Sequence, residues 1–153
     1  MSDVEIIKYD DKYASQLHSL LLGFSTEVYG EGAADLDSFV QGHWAIYLAM
    51  KSEEVIGFSS FNINHYFGLR PPTVGNTFLY VMPEYRRGRA TYLLTKQAGY
   101  VSIDTNLPLE TYYAAEASRK IGQRLLKSEG HFNYDCYVYP VEEVKNGYSH
   151  YRK

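Results

Sequence analysis

Cysteine is nearly absent: Cys136 stands alone among 153 residues, so no disulfide can form within the chain and nothing points to an oxidising compartment. Its place in an alternating pattern suits a buried structural thiol better than a nucleophile. No window approaches the ~18 consecutive apolar residues of a membrane span. The amino terminus carries Asp3, Glu5, Asp10 and Asp11 where a leader would place a basic stretch and an apolar run. These absences lead us to expect a soluble, cytoplasmic protein without membrane association. Positive charge is not in surplus either: 15 Lys and Arg against 18 Asp and Glu give a formal net charge of −3, which offers nucleic acid no electrostatic footprint. The five histidines (His18, His43, His65, His131, His150) show no metal-ligand spacing among themselves or with Cys136. A Gly-x-Ser-x-Gly elbow, a Walker loop and a dinucleotide glycine fingerprint are all missing. Metal hydrolysis and redox chemistry drop out, and no metal is expected.

What is present describes a folded chain. Apolar residues make up 45% and charged residues 22%, too apolar and too evenly charged for disorder. A single domain over residues 1–153 would bury roughly 68–70% of its unfolded surface. The sixteen tyrosines are spread along nearly every segment, as rings that pack while their hydroxyls stay hydrogen-bonded.

Periodicity sets out the elements. Val4 to Lys8 reads as a strand; Tyr13, Leu17, Leu20, Leu21, Phe24 and Val28 fall on one face of a helix that ends near Tyr29, before Gly30 and Gly32. Asp35 is placed to cap a shorter helix. Ala45–Met50 and Val55–Asn64 suit a hairpin, and Pro71-Pro72 forces a loop before a strand from Thr73 to Val81. Beyond Pro83 a helical stripe runs through Ala90, Leu93, Leu94, Ala98 and Val101. A strand at Leu109–Tyr113, a helix ending at Gly130 and a last strand from Phe132 to Tyr139 follow. Residues 142–153 read as a polar, loosely held tail, and they leave a homodimer open. The strand-helix-strand unit from Thr73 to Tyr113 requires a right-handed parallel crossover. The expected class is α/β of the α+β kind: a mixed, mostly antiparallel sheet of about six strands flanked by about four helices.

The run Val81-Met82-Pro83-Glu84-Tyr85-Arg86-Arg87-Gly88-Arg89-Ala90-Thr91 joins a strand to a helix. A helix start presents N–H groups that have no intrahelical acceptor, and with the helix dipole these make an anion site. Three arginines there are unfavourable by roughly 0.3–1 kcal/mol each unless an anion is bound. A solvated basic turn is the plainer alternative on charge and spacing alone.

This segment resembles the acyl-CoA signature of the GNAT (GCN5-related N-acetyltransferase) superfamily, a strand ending in Val-x-Pro-x-Tyr followed by Arg/Gln-x-x-Gly-x-Gly/Ala, and the element order over residues 4–140 is also that of the family. The resemblance implies acetyl-CoA as co-substrate and a small-molecule or protein amine as acceptor. It implies backbone contacts to pantetheine from Leu79 and Val81, an oxyanion donor at Met82, and a diphosphate cradle from Arg86, Arg87, Gly88, Arg89, Ala90 and Thr91. The pattern also departs from the family. Counting from Arg86, Arg89 stands at the central glycine and Thr91 at the final Gly/Ala, with Gly88 one place early. This Arg-x-Gly-Arg form resembles that of some phage-encoded GNAT proteins. Near the carboxyl end, Gly122, Leu125-Leu126 and Gly130-His131-Phe132 match the second family signature, but Leu126 stands where a tyrosine often protonates the departing thiolate.

Acyl transfer to an amine needs a proton acceptor, and Thr73 to Tyr80 holds no carboxylate. Glu27 and His65 are the candidate bases. Tyr113, with Tyr112 and Tyr80, could replace the missing acid, though each also reads as packing. Glu27, Tyr29, Arg70 and Tyr80 are the candidate acceptor contacts. Two functions compete: an N-acetyltransferase working by direct attack in a ternary complex, and a GNAT-fold structural or interaction module without catalysis, phage-encoded on the loop resemblance.

Overall fold

The computed structural model describes residues 3–111, 116–126, 131–133 and 136–148. Contacts divide the chain into two compact units, the first holding Met1–Phe61 and Phe78–Leu94, the second Asn62–Thr77 and Thr95–Lys153.

The first unit begins with β1 (Val4–Lys8), which pairs antiparallel with β2 (Ala45–Lys51), and β2 pairs antiparallel with β3 (Glu54–Asn64) across a bulge at Ala49/Met50. β3 neighbours β4 (Thr73–Val81). Helix α1 (Ala14–Tyr29) buries Leu17, Leu20 and Leu21, as their spacing predicts. Its end departs from the expected stripe, since Val28 is exposed. Gly30 closes α1 in the left-handed region at φ 76°, its N–H donating to Thr26 O, the conformation glycine adopts without penalty. Asp35 caps α2 (Leu36–Gly42) by accepting from the Ser38 N–H at 3.0 Å. One core cluster joins Leu17, Leu20, Ile46, Leu48, Phe58 and Tyr80; a smaller one joins Ala49, Ile56, Val81, Ala90 and Leu94.

In the second unit β4 pairs parallel with β5 (Leu109–Thr111), the crossover being α3 (Arg89–Thr105). β5 pairs antiparallel with β7 (Cys136–Tyr139), and β7 with β6 (His131–Asn133). Helix α4 (Glu116–Leu126) buries Gly122 and Leu126. The sheet is mixed and mostly antiparallel, as expected, with seven strands rather than about six. The extra strand arises because the expected last strand is a hairpin, with Asn133 facing Cys136. Alternation has the same period on both arms of a tight reversal, so it cannot reveal the fold-back.

The tail expectation is corrected. Residues Val141–Gly147 form a helix, α5, with Val144 and Tyr148 buried. Tyr148 donates to Lys96 O at 2.9 Å and meets the Tyr100 ring edge-on at 5.0 Å. Polar letters in this stretch hide a tyrosine that is buried with its hydroxyl satisfied. Tyr112, Tyr113 and Gly130 lie outside the described residues, as does the Cys136 side chain.

Candidate functional site

Pro83 ends β4, and a 3-10 turn over Pro83–Tyr85 leads into Arg86. The turn is tied by its own backbone: Tyr85 N donates to Met82 O at 2.9 Å and Gly88 N to Tyr85 O at 3.1 Å. The Thr91 hydroxyl, from the first turn of α3, donates back to Arg86 O at 2.9 Å. A Cβ on Gly88 would stand 3.3 Å from Tyr85 O, tight enough that the turn must give to admit one.

The three arginines divide into two kinds. Arg86 is used internally: its Nε donates to Val81 O at 2.8 Å, its two terminal nitrogens form a bidentate pair with the Glu27 carboxylate, and its guanidinium lies 5.3 Å from the centre of the Tyr80 ring. Arg87 and Arg89 are exposed, and among the described residues neither makes an ion pair or hydrogen bond. With Gly88, Ala90, Lys51 and Tyr85 they line a cavity of about 410 Å³, whose wall also carries Asp3 and Glu84.

This geometry revises several expectations. Arg86 does not stand ready for a diphosphate. Glu27 is a poor proton acceptor, because hydrogen bonding to Arg86 holds its carboxyl below the usual glutamate range. The Met82 N–H, expected as an oxyanion donor, already donates to Ile56 O at 2.9 Å. The Val81 carbonyl, expected to meet pantetheine, accepts from Arg86. Leu79 is half-buried against the smaller core cluster. Tyr80 is buried beside Phe24 and Phe58, at ring separations of 5.8 and 6.1 Å, and lines a second cavity of about 260 Å³ with Leu20, Gly23 and Met82. Tyr29 is exposed and touches Phe24 edge-on at 6.1 Å.

The Glu27–Arg86 pair has a signed consequence for pH. A carboxylate whose pKa is depressed by folding adds stability above its unfolded pKa, about 4.3, and loses it as pH falls through the lower folded value; Arg86 stays charged throughout. Glu27→Gln is therefore expected to melt below the parent at pH 7, with the gap closing below about pH 4. Thermal melts of both proteins across pH 3–7 check this, and a gap that persists undiminished at the acid end would contradict it.

In the second unit His65 is exposed, and Arg70 stacks on the Tyr66 ring at 4.6 Å. Beneath Tyr66 lies a group that sequence reasoning missed. Glu110, on β5, is only 4% exposed. Its Oε2 accepts from the Tyr66 hydroxyl and from the Thr73 hydroxyl, the latter at 2.7 Å. Burial, and then the bond to Glu110, raise the Tyr66 phenol above its usual range. The available signal was an acid inside the short buried run Leu109-Glu110-Thr111. Among the described residues no group of His, Cys, Asp and Glu could hold a metal, and no helix is long and apolar enough to cross a membrane.

The strand order, the proline break and the arginine turn at the head of α3 define a GNAT-type acetyltransferase fold. Solved structures bear this out. AtaTR bound with AcCoA matches 95% of this chain and 98% of its own at TM-score 0.68 and 14% identity. A GNAT-family acetyltransferase from Staphylococcus aureus Mu50 matches 91% of this chain and 99% of its own at TM-score 0.64 and 12% identity. AAC(6')-Iy, in complex with the bisubstrate analogue CoA-S-monomethyl-acetylneamine, matches 88% and 93% at TM-score 0.63 and 18% identity. No protein-family model and no curated protein matches the chain. At these identities the likeness is one of fold.

Proposed function

We propose that this protein is an acetyl-CoA-dependent N-acetyltransferase that acylates an amine of a small molecule or protein by direct attack within a ternary complex. The observation that carries the reading is the pair Arg87 and Arg89 at the head of α3. Two cations beside the positive end of a helix dipole repel it and gain nothing from one another. A diphosphate on the first-turn N–H groups reverses that sign. Gly88, Ala90 and Thr91 complete the cradle in this reading, with Arg86 bracing the turn from behind. Residues 1–153 act as one acyltransferase domain, a reading supported by matches to acetyltransferases over most of the chain. The cytoplasm is the compartment that the lone cysteine favours.

Acetyl-CoA at a hundredfold excess over Kd is expected to stabilise the parent by about 2.7 kcal/mol, seen as a rise of several degrees in Tm. Gly88→Glu, which puts a carboxylate where the diphosphate would lie, is expected to lose that rise, whereas Gly88→Ala keeps most of it. A parent that shows no rise sinks the acetyltransferase reading.

A second reading, a GNAT-fold module without catalysis, draws on specific observations. The Met82 N–H and the Val81 carbonyl are both committed internally, and Leu126, at the position of the family's acid, is buried. Acetyl-CoA binding without thiol release in the presence of any amine would favour it.

A further inference from the structure

Glu110 is the buried ionisable group that the reading above leaves without a role. Enclosing a carboxylate costs several kcal/mol unless its partners replace water. Simple anchorage of the 65–72 loop would be met at lower cost by a neutral side chain accepting from Tyr66. The loop itself is little packed: Phe67 is 97% and Leu69 91% exposed. Its backbone turns sharply there, with φ of 53° at Phe67 and 83° at Gly68 and a Leu69 N to Tyr66 O bond of 2.9 Å. From this exposed turn Tyr66 reaches inward, half-buried, to Glu110. The result is a continuous polar path from a solvent-facing phenol to a buried carboxylate, steadied by Thr73.

We propose that Tyr66 and Glu110 form the proton relay for the acceptor amine, Tyr66 touching the amine and Glu110 receiving the proton. The inference rests on the acetyltransferase reading. As the amine nitrogen bonds to the acetyl carbon, its proton passes to the Tyr66 oxygen while the phenolic proton moves to Glu110 Oε2. The C–S bond then breaks and CoA leaves as thiolate. Glu110 returns its proton through Tyr66 to solvent, so the relay is restored. Thr73 is a positioning residue, holding the receiving oxygen. Among the described contacts, the titratable and charged groups facing this oxygen are Tyr66 itself and, over the Tyr66 ring, Arg70, whose charge favours the ionised carboxylate. The relay replaces Glu27, whose carboxylate Arg86 occupies.

The test compares the parent with Glu110→Gln, using acetyl-CoA and two nucleophiles. One is hydroxylamine, which is weakly basic. The other is whichever of putrescine, lysine and tyramine the parent acetylates fastest. A relay that removes the proton of a basic amine contributes about 10²-fold or more. Glu110→Gln is therefore expected to lower kcat/KM about 100-fold for the basic amine and less than about 5-fold for hydroxylamine, with the acetyl-CoA thermal shift unchanged. Equal losses for the two nucleophiles would show a structural role and overturn the proposal, as would no loss at all. Should Glu110→Gln fail to fold, Tyr66→Phe, which keeps the ring and the Thr73 bond, is expected to show the same nucleophile dependence at about 10-fold; an unaffected Tyr66→Phe overturns the relay. A parent that releases no thiol with any amine overturns the acetyltransferase reading and the relay together, whereas an active parent with an unaffected Glu110→Gln overturns the relay alone.

Discussion

Truncating Phe58 to alanine is expected to destabilise the protein by about 3–5 kcal/mol, measured by chemical denaturation against the parent. Phe58 is fully buried, and three rings pack around it: Phe39 at 5.5 Å, Tyr80 at 6.1 Å and Phe24 at 6.3 Å. Removing it leaves a cavity that these rings cannot close together, because each is held by other contacts. Phe24 also meets Phe78 at 5.4 Å, and Tyr80 lies under Arg86 at 5.3 Å. The loss should reach the turn before α3, because Tyr80 is what the Arg86 guanidinium rests on. A cost under about 1 kcal/mol would show that the cluster repacks, as well-filled cores with rigid rings do not.

The second large effect is at Gly99. In the middle of a helix, glycine to alanine usually stabilises by about 1 kcal/mol. Here the sign is expected to reverse, to a net loss of about 2 kcal/mol or more. A Cβ on Gly99 would fall inside contact distance of the Tyr148 ring and hydroxyl. Tyr148 is buried and bonded to Lys96 O, so it can yield only by giving up both. Denaturation of Gly99→Ala beside Gly99→Ala/Tyr148→Ala separates the causes. The double variant should recover the helix-propensity gain relative to Tyr148→Ala alone, and no such recovery would refute the clash.

Much of the fold was legible because it rests on local periodicity. The α1 stripe, the Asp35 cap, the β2–β3 hairpin and the β4 break at Pro83 all express patterns within about a dozen residues. What was missed depends on partners far along the chain. Tyr148 belongs to a buried contact only because Gly99 leaves room for it. Glu110 reads as an ordinary strand acid until Tyr66, 44 positions away, is brought against it. Arg86 could not be told from Arg87 and Arg89 by its letter, since what distinguishes it is Glu27, 59 positions earlier. The site was thus half legible: its turn was identified from local sequence, and the division of labour among its residues was not.

That division bears on which substitutions the turn can absorb. Arg86 uses the whole planar fork at once, with Nε on a carbonyl, two nitrogens on a carboxylate and one face on a ring. Lysine carries the same charge but is a point donor on a flexible stem, so it could satisfy one of these contacts and would abandon the rest. Arg87 and Arg89, which offer charge rather than shape, lose little by the same exchange. Related chains drifting from this one should therefore be free to trade arginine for lysine at 87 and 89 and be held to arginine at 86 for as long as Glu27 is kept.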